Sequence, residues 1–190
     1  MRIAVMPGDF IGKEVVAEGL KLLEVVAGKF QFRFQITEYP FGAEHYLKTG
    51  VTLPDSALKE LAAHDAILFG AVGADPRGVQ QIPQGLIETD ILLKMRFELD
   101  QYINLRPTRL MPGVPSPIKS TQIDMVIVRE NTEGLYCQQG GFLYKGTQHE
   151  VANQIEVATR HGVERTIRYA FEYARQHRRR RVTLVAKTNV

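Results

Sequence analysis

The sequence predicts an α/β fold, a parallel or mixed sheet flanked by helices. Two observations predict it. Residues 2–36 read strand, turn, helix, strand, the opening unit of a parallel sheet. Further short apolar runs, Ala66–Phe69, Met125–Val128 and Val182–Val185, alternate with stretches of helical spacing.

Taken in order, Arg2–Pro7 is a short apolar strand and Gly8–Gly12 a turn. Glu14–Val26 places Val15, Val16, Leu20, Leu22, Leu23 and Val26 at helical spacing, and Gly28 is expected to stop that helix. Phe32–Ile36 alternates as a strand. Ala43–Leu47 reads as a helix ending at Gly50, and Pro54-Asp55-Ser56 opens the next, carried by Leu58, Leu61 and Ala62. Ala66–Phe69 is expected as a buried strand, with Gly70-Ala71-Val72-Gly73 at its carboxyl end. Open α/β sheets bind ligands at that edge, so this small-residue loop is a candidate cofactor floor; a plain tight turn explains it equally well. Residues 74–85 read as loop, and a helix over 86–101 carries Arg96. Pro107 disfavours helical geometry in the residue before it, so Ile103–Arg106 is extended. Met111–Pro117 is a proline-rich surface connector, and Met125–Val128 a strand from whose end Arg129–Tyr136 departs. Gly140, Gly141 and Gly146 punctuate an irregular hairpin. Ile155–Arg175 is helical, with Val163, Ile167, Ala170 and Phe171 on one face, and Val182–Val185 is a last strand.

The chain of 190 residues is 44% hydrophobic and 24% charged, ordinary globular composition. A formal charge of +3 fits a small anionic substrate as well as nucleic acid. The basic run Arg178–Arg181 complements a helix C-terminus, and no interleaved aromatics or binding motif accompany it, so no nucleic-acid partner is expected. The single cysteine, Cys137, excludes an internal disulfide framework. There is no apolar run of about 18 residues and no signal-peptide pattern at the start, so no membrane partner is expected and a cytoplasmic setting is the default. Gly8 and Gly12 lack the intervening glycine of a dinucleotide fingerprint, and a plain strand-to-helix turn accounts for them.

The chemistry concentrates in arginines. Arg96 sits on a helix and Arg106 at a strand end ten residues later; Arg129 ends another strand. Guanidinium is a permanently charged planar fork that grips carboxylate with two hydrogen bonds. Surface ion pairs are the plainer account of the same residues. Tyr136 and Lys187 also follow apolar strands. Three guanidiniums, a phenol and an amine suit a small dicarboxylate, the arginines holding it while tyrosine and lysine move protons. Lysine beside arginines has its pKa lowered by like charge, favouring the neutral base.

Pro7-Gly-Asp-Phe-Ile-Gly12, Leu53-Pro-Asp55, Gly70–Gly73, Asn104-Leu-Arg-Pro107, Val128-Arg-Glu-Asn-Thr-Glu-Gly-Leu-Tyr136 and Lys187-Thr-Asn189 occur in that order along the whole chain. In this combination the sequence resembles the β-decarboxylating dehydrogenases, the isocitrate/isopropylmalate dehydrogenase family. The resemblance implies a large cofactor-side domain beginning over residues 1–101. It implies a smaller α/β substrate and dimerisation domain over 102–190, with an arm near 131–153, both incomplete here. It implies that Arg96, Arg106 and Arg129 grip the malate part of the substrate, that Tyr136 protonates the enolate carbon, and that Lys187 takes the hydroxyl proton. That lysine would serve the partner's active site, implying a homodimer. Asn189 and Val190 match positions beside the lysine. Ile11, Gly70, Ala71, Val72, Gly73 and Glu88 match positions near a nicotinamide cofactor, NAD. The family also uses Mg²⁺ or Mn²⁺, whose aspartate ligands are expected beyond Val190, so no metal ligand is expected within this chain and little activity from it alone.

Phe10 departs from the family, replacing the usual glycine, and is strained if that position needs positive φ. Lys13 replaces a usual proline. Leu92 and Leu93 precede Arg96 on the helix facing the substrate's variable group; they suit an isopropyl group and oppose a third carboxylate. That favours 3-isopropylmalate, with tartrate/D-malate and isocitrate-type acids as alternatives, and ordinary core packing of the leucines as another. An inactive fragment that serves only as an assembly piece is the alternative of another class.

Overall fold

The computed structural model describes residues 1–75, 82–120 and 122–186. The chain divides into two compact units, Met1–Leu99 and Asp100–Val190.

Unit 1 is a three-stranded parallel sheet of order β2-β1-β3, built from β1 (Arg2–Gly8), β2 (Gln35–Glu38) and β3 (Ala66–Ala71). β1 is central, pairing Ile3 with both Ile36 and Ala66. Its residues alternate between two buried faces, as a central strand of a helix-covered sheet must. Ile3 and Val5 pack with Val16 of α1 (Ile11–Phe30). Ala4 and Met6 face the larger core, with Leu58 and Leu61 of α3 (Asp55–Ala62) and with Ile87, Ile91 and Met95. The short α2 (Ala43–Thr49) adds Ala43 and ends at Gly50. Ile87, Ile91 and Met95 recur every four residues through a widened, π-type stretch, Glu88–Leu93, that runs on into α4 (Lys94–Glu98). Lys94 fastens this helix to α3, its Nζ donating to Leu53 O at 2.9 Å and Asp55 Oδ1 at 2.6 Å.

Several sequence expectations need correction in unit 1. Gly28 does not stop α1: the helix continues to Phe30 and closes at Gln31 in left-handed geometry, φ 55°. Glycine weakens a helix interior by only about 1 kcal/mol, so it need not end one. Of α1's expected apolar face only Val16 is buried, while Val15 and Leu22 are exposed, as are Val25 and Phe30. β3 is half-buried rather than buried, because it lies at a sheet edge. The second strand begins at Gln35 rather than Phe32. The helix expected over 86–101 ends at Glu98, with a π-type segment in its first half.

Unit 2 is a two-stranded antiparallel ladder of β4 (Ile103–Arg109) and β5 (Asp124–Glu130), a hairpin of β6 (Gly140–Leu143) and β7 (Val151–Gln154), and α5 (Arg160–Gln176). β4 runs through Pro107, which faces Val126. A two-stranded ladder leaves each strand an open edge, where a residue without N–H is tolerated. α5 starts five residues later than its periodicity suggests, because Thr159 caps it, its hydroxyl accepting from Gly162 N at 3.0 Å. Val163, Ile167 and Phe171, its expected packing face, are exposed. The strand expected at Val182–Val185 is absent. No described residue pairs with it, Leu184 is 77% and Val185 90% exposed, and a strand needs a neighbour for its backbone groups. Arg179, within the basic run, pairs with Asp124 at 2.6 Å. No helix among the described residues is long and apolar enough to cross a membrane.

Candidate functional site

In unit 2 the register of β4 and β5 sets the arginines. Asn104 lies opposite Arg129, and Arg106 opposite Ile127. All four therefore share one sheet face, and Arg106 and Arg129 are diagonal neighbours on it. Asn104 steadies the first of them: its Oδ1 accepts from Arg106 Nε at 3.0 Å, while its Nδ2 donates to Asn131 Oδ1 at 3.3 Å. Asn131 is buried and also ties to the turn before β4, its Nδ2 donating to Gln101 O at 3.0 Å. Tyr136 sits in a single 3₁₀ turn, Leu135–Cys137, and Arg129 Cζ lies 5.0 Å from the centroid of its ring. Two guanidiniums and a phenol thus gather on one face. Arg106 is exposed and Arg129 half-buried, so the face is open to an anion from solvent.

The stretch Arg129–Tyr136 is held by its own polar side chains. Glu130 folds back on the turn, accepting from Thr132 Oγ1 at 2.7 Å and Glu133 N at 2.7 Å. Burial pushes the Glu130 carboxyl up, but these donors and the Thr132 N–H outweigh it, and its pKa lies below the ordinary value. Glu133 accepts from Thr159 N at 2.7 Å and from the Thr159 hydroxyl, locking the turn to the cap of α5. Thr132 Oγ1 accepts from Arg165 Nη2 at 2.8 Å. Arg165 also stacks on the Tyr102 ring at 4.3 Å and pairs with Asp100 at 2.8 Å. Sequence reasoning passes over Asn104, Asn131, Glu133 and Arg165 as binding or positioning groups. The first three lie inside the family motifs; Arg165 carries no local signal.

Unit 1 holds the candidate nucleotide residues. Gly70 and Ala71 are the last residues of β3, and Val72 and Gly73 follow it, so half of the expected loop is strand. A methyl group built on Gly73 would stand 3.0 Å from Glu88 Oε1, so this carboxylate borders the loop. Ile11 is the first residue of α1 and 58% exposed. Phe10 before it has φ 47°, the strained geometry anticipated for a bulky residue there. Asp9, unremarked in the sequence, is 4% exposed and hydrogen-bonds Gly73 N at 3.2 Å. Nearby, Glu44 has its carboxyl held down from 4.5 to about 2 by hydrogen bonds from Lys13 and then Lys48.

Arg96 lies in unit 1, on α4, and is 8% exposed; Leu92 and Leu93 are half-buried rather than core. Lys187, Asn189 and Val190 lie outside the described residues. Among the described residues no group of three or more His, Cys, Asp or Glu gathers to hold a metal ion.

The chain resembles known proteins along its whole length. The chain is 56% identical over 189 residues to a 3-isopropylmalate dehydrogenase of Clavibacter sepedonicus, covering 99% of this chain and 53% of that protein. It is 53% identical over 191 residues to one from Frankia casuarinae, covering 100% of this chain and 53% of the relative. The chain spans about half the length of the curated relatives it matches. Its structure resembles the crystal structure of isocitrate dehydrogenase from Methylococcus capsulatus, with TM-score 0.81 and 33% identity over 99% of this chain and 51% of that one. A β-decarboxylating dehydrogenase from Thermococcus kodakarensis gives TM-score 0.62 and 32% identity over 93% of this chain and 46% of that one. The sequence pattern described as isocitrate/isopropylmalate dehydrogenase matches residues 2–190, and with the shared fold this makes the chain a member of the isocitrate/isopropylmalate dehydrogenase family.

Proposed function

We propose that the protein carrying this chain is an NAD-dependent dehydrogenase that oxidises and decarboxylates a 2-hydroxy dicarboxylic acid, 3-isopropylmalate before its alternatives. One observation carries this reading: Arg106 and Arg129 share a sheet face with Tyr136 stacked beneath the Arg129 guanidinium. The names of the similar proteins support the choice of acid.

In this reading Arg106 and Arg129 hold the malate carboxylates in place, each able to offer two parallel N–H donors. Tyr136, at the edge of the same face, donates its phenolic proton to the carbon from which carbon dioxide has left. Lys187 accepts the substrate hydroxyl proton, from the partner subunit of a homodimer. Arg96, Leu92, Leu93, Asn189 and Val190 carry their substrate assignments from sequence motifs alone. NAD, when bound, supplies the acceptor for the hydride; Ile11, Gly70–Gly73 and Glu88 would hold it, and the Glu88 carboxylate bordering Gly73 suits a ribose hydroxyl. Mg²⁺ or Mn²⁺ belongs to the same reading, but the described residues offer no group of three or more His, Cys, Asp or Glu to hold it. Exposed Phe142 and Leu143 on the β6–β7 hairpin offer apolar surface that a partner subunit of a homodimer would cover.

Steady-state rates of NAD reduction by 3-isopropylmalate, D-malate, tartrate and isocitrate, with the protein at its natural length, test this. The highest kcat/KM belongs to 3-isopropylmalate; a higher value with isocitrate, or reduction with none of the four, overturns it.

A further inference from the structure

We propose that Asp9 is a positioning residue for the nucleotide site, tethering the end of β3 and its Gly73 loop to the start of α2. The proposal rests on the reading of Gly70–Gly73 as the floor of that site. Asp9 is one of the few polar residues in the core, 4% exposed. Its Oδ2 accepts from Ala43 N at 2.8 Å and from Gly73 N at 3.2 Å, and its Oδ1 accepts from Glu44 N at 3.1 Å. Its backbone N–H donates to Ala71 O at 2.7 Å. One residue therefore grips the loop by main chain at Ala71 and by side chain at Gly73, while its carboxylate is itself fixed by two N–H groups of another element.

The surroundings are shaped for that carboxylate. A methyl group on Gly42 would stand 2.8 Å from both Asp9 oxygens, so only glycine leaves the room. An acceptor this deeply buried is stable only while its donors stay in place, and its loss leaves the buried Ala43 N–H and the half-buried Glu44 and Gly73 N–H groups without their acceptor. A plain helix-capping role explains the bonds to Ala43 and Glu44. It does not explain the bond to Gly73, which reaches 64 residues along the chain to the loop that borders Glu88.

The test compares Asp9→Ala, Asp9→Asn and Gly42→Ala in the protein at its natural length, reading KM for NAD against KM for the hydroxy acid. Asp9→Ala raises the NAD KM about tenfold, the scale of one lost hydrogen bond to a charged group, and moves the acid KM less than about twofold. Asp9→Asn keeps one acceptor oxygen and gives a smaller rise; Gly42→Ala displaces the carboxylate without altering its charge and matches it. Unchanged NAD KM in folded variants, or both KM values rising together, overturns the proposal. If Asp9→Ala does not fold, the other two variants decide. If the unaltered protein reduces NAD with none of the acids, the functional reading has failed. The tether is then judged by amide hydrogen exchange: faster exchange at Gly73, with Val5 unchanged, in Asp9→Asn upholds it, and unchanged exchange at Gly73 refutes it.

Discussion

The guanidinium of Arg129 lies over the ring of Tyr136, 5.0 Å from its centroid, although six residues of turning chain separate them. The stack places a permanent positive charge against a phenol that the proposed reaction uses as an acid. Tyr136→Phe keeps the ring and removes only the hydroxyl. In a variant that still unfolds cooperatively, overall turnover should fall by about 10²- to 10⁴-fold, the usual weight of a general acid. Turnover within a few-fold of the original would show that another group supplies the proton.

Gly162 stands where α5 begins, and a methyl group there would stand 2.5 Å from both carboxylate oxygens of Glu133. Glu133 is the acceptor that locks the Arg129–Tyr136 turn to Thr159. Gly162→Ala should cost about 1–3 kcal/mol by overpacking, read from denaturant unfolding. It should also lower substrate affinity, since the displaced turn carries Arg129 and Tyr136 at its ends. Stability equal to that of the unaltered protein would show that Glu133 has room to move.

Acid should loosen the two units by different routes. Glu130 has a folded pKa below its ordinary 4.5, so its contribution is present above pH 4.5 and is lost as pH falls through the folded value. Glu44 has the same sign, its contribution fading between 4.5 and about 2. Glu44 is paired on the surface, where salt screens it, while Glu130 is partly buried and bonded to its own turn. Unfolding measured from pH 6 to pH 3 in low and high salt should show the acid loss reduced by Glu130→Gln in both, and by Glu44→Gln only in low salt. An acid profile untouched by Glu130→Gln would contradict this.

Much of this architecture can be read from patterns local in sequence. The β1–α1–β2 unit comes from alternation and helical spacing over a few turns. Pro107 marks the extended start of β4, and the motif from Val128 to Tyr136 marks the family. The features that escape such reading depend on distant neighbours or on a single side chain. Gly28 looks like a helix stop, but the residues after it decide where the helix ends, and Gln31 supplies the left-handed close. Val182–Val185 has strand composition and no described strand beside it. Ile155–Thr159 fits the apolar rhythm of α5, yet the Thr159 cap starts the helix only at Arg160. Asp9 lies inside the motif Pro7–Gly12, but its burial and its tether escape the sequence because its partners lie 34 to 64 residues away. Its neighbour Phe10 stands out only as a departure from the family's usual glycine, and the structure has it at φ 47°.

The shared face of β4 and β5 is tested most directly by a double-mutant cycle. Equilibrium binding of 3-isopropylmalate would be measured for Arg106→Ala, Arg129→Ala and the double variant, with the protein at its natural length. If both guanidiniums hold one dicarboxylate, each single change weakens binding and the two effects fail to add, with coupling beyond about 0.5 kcal/mol. Affinity unchanged by either substitution, or two losses that simply sum, would contradict a common anion site.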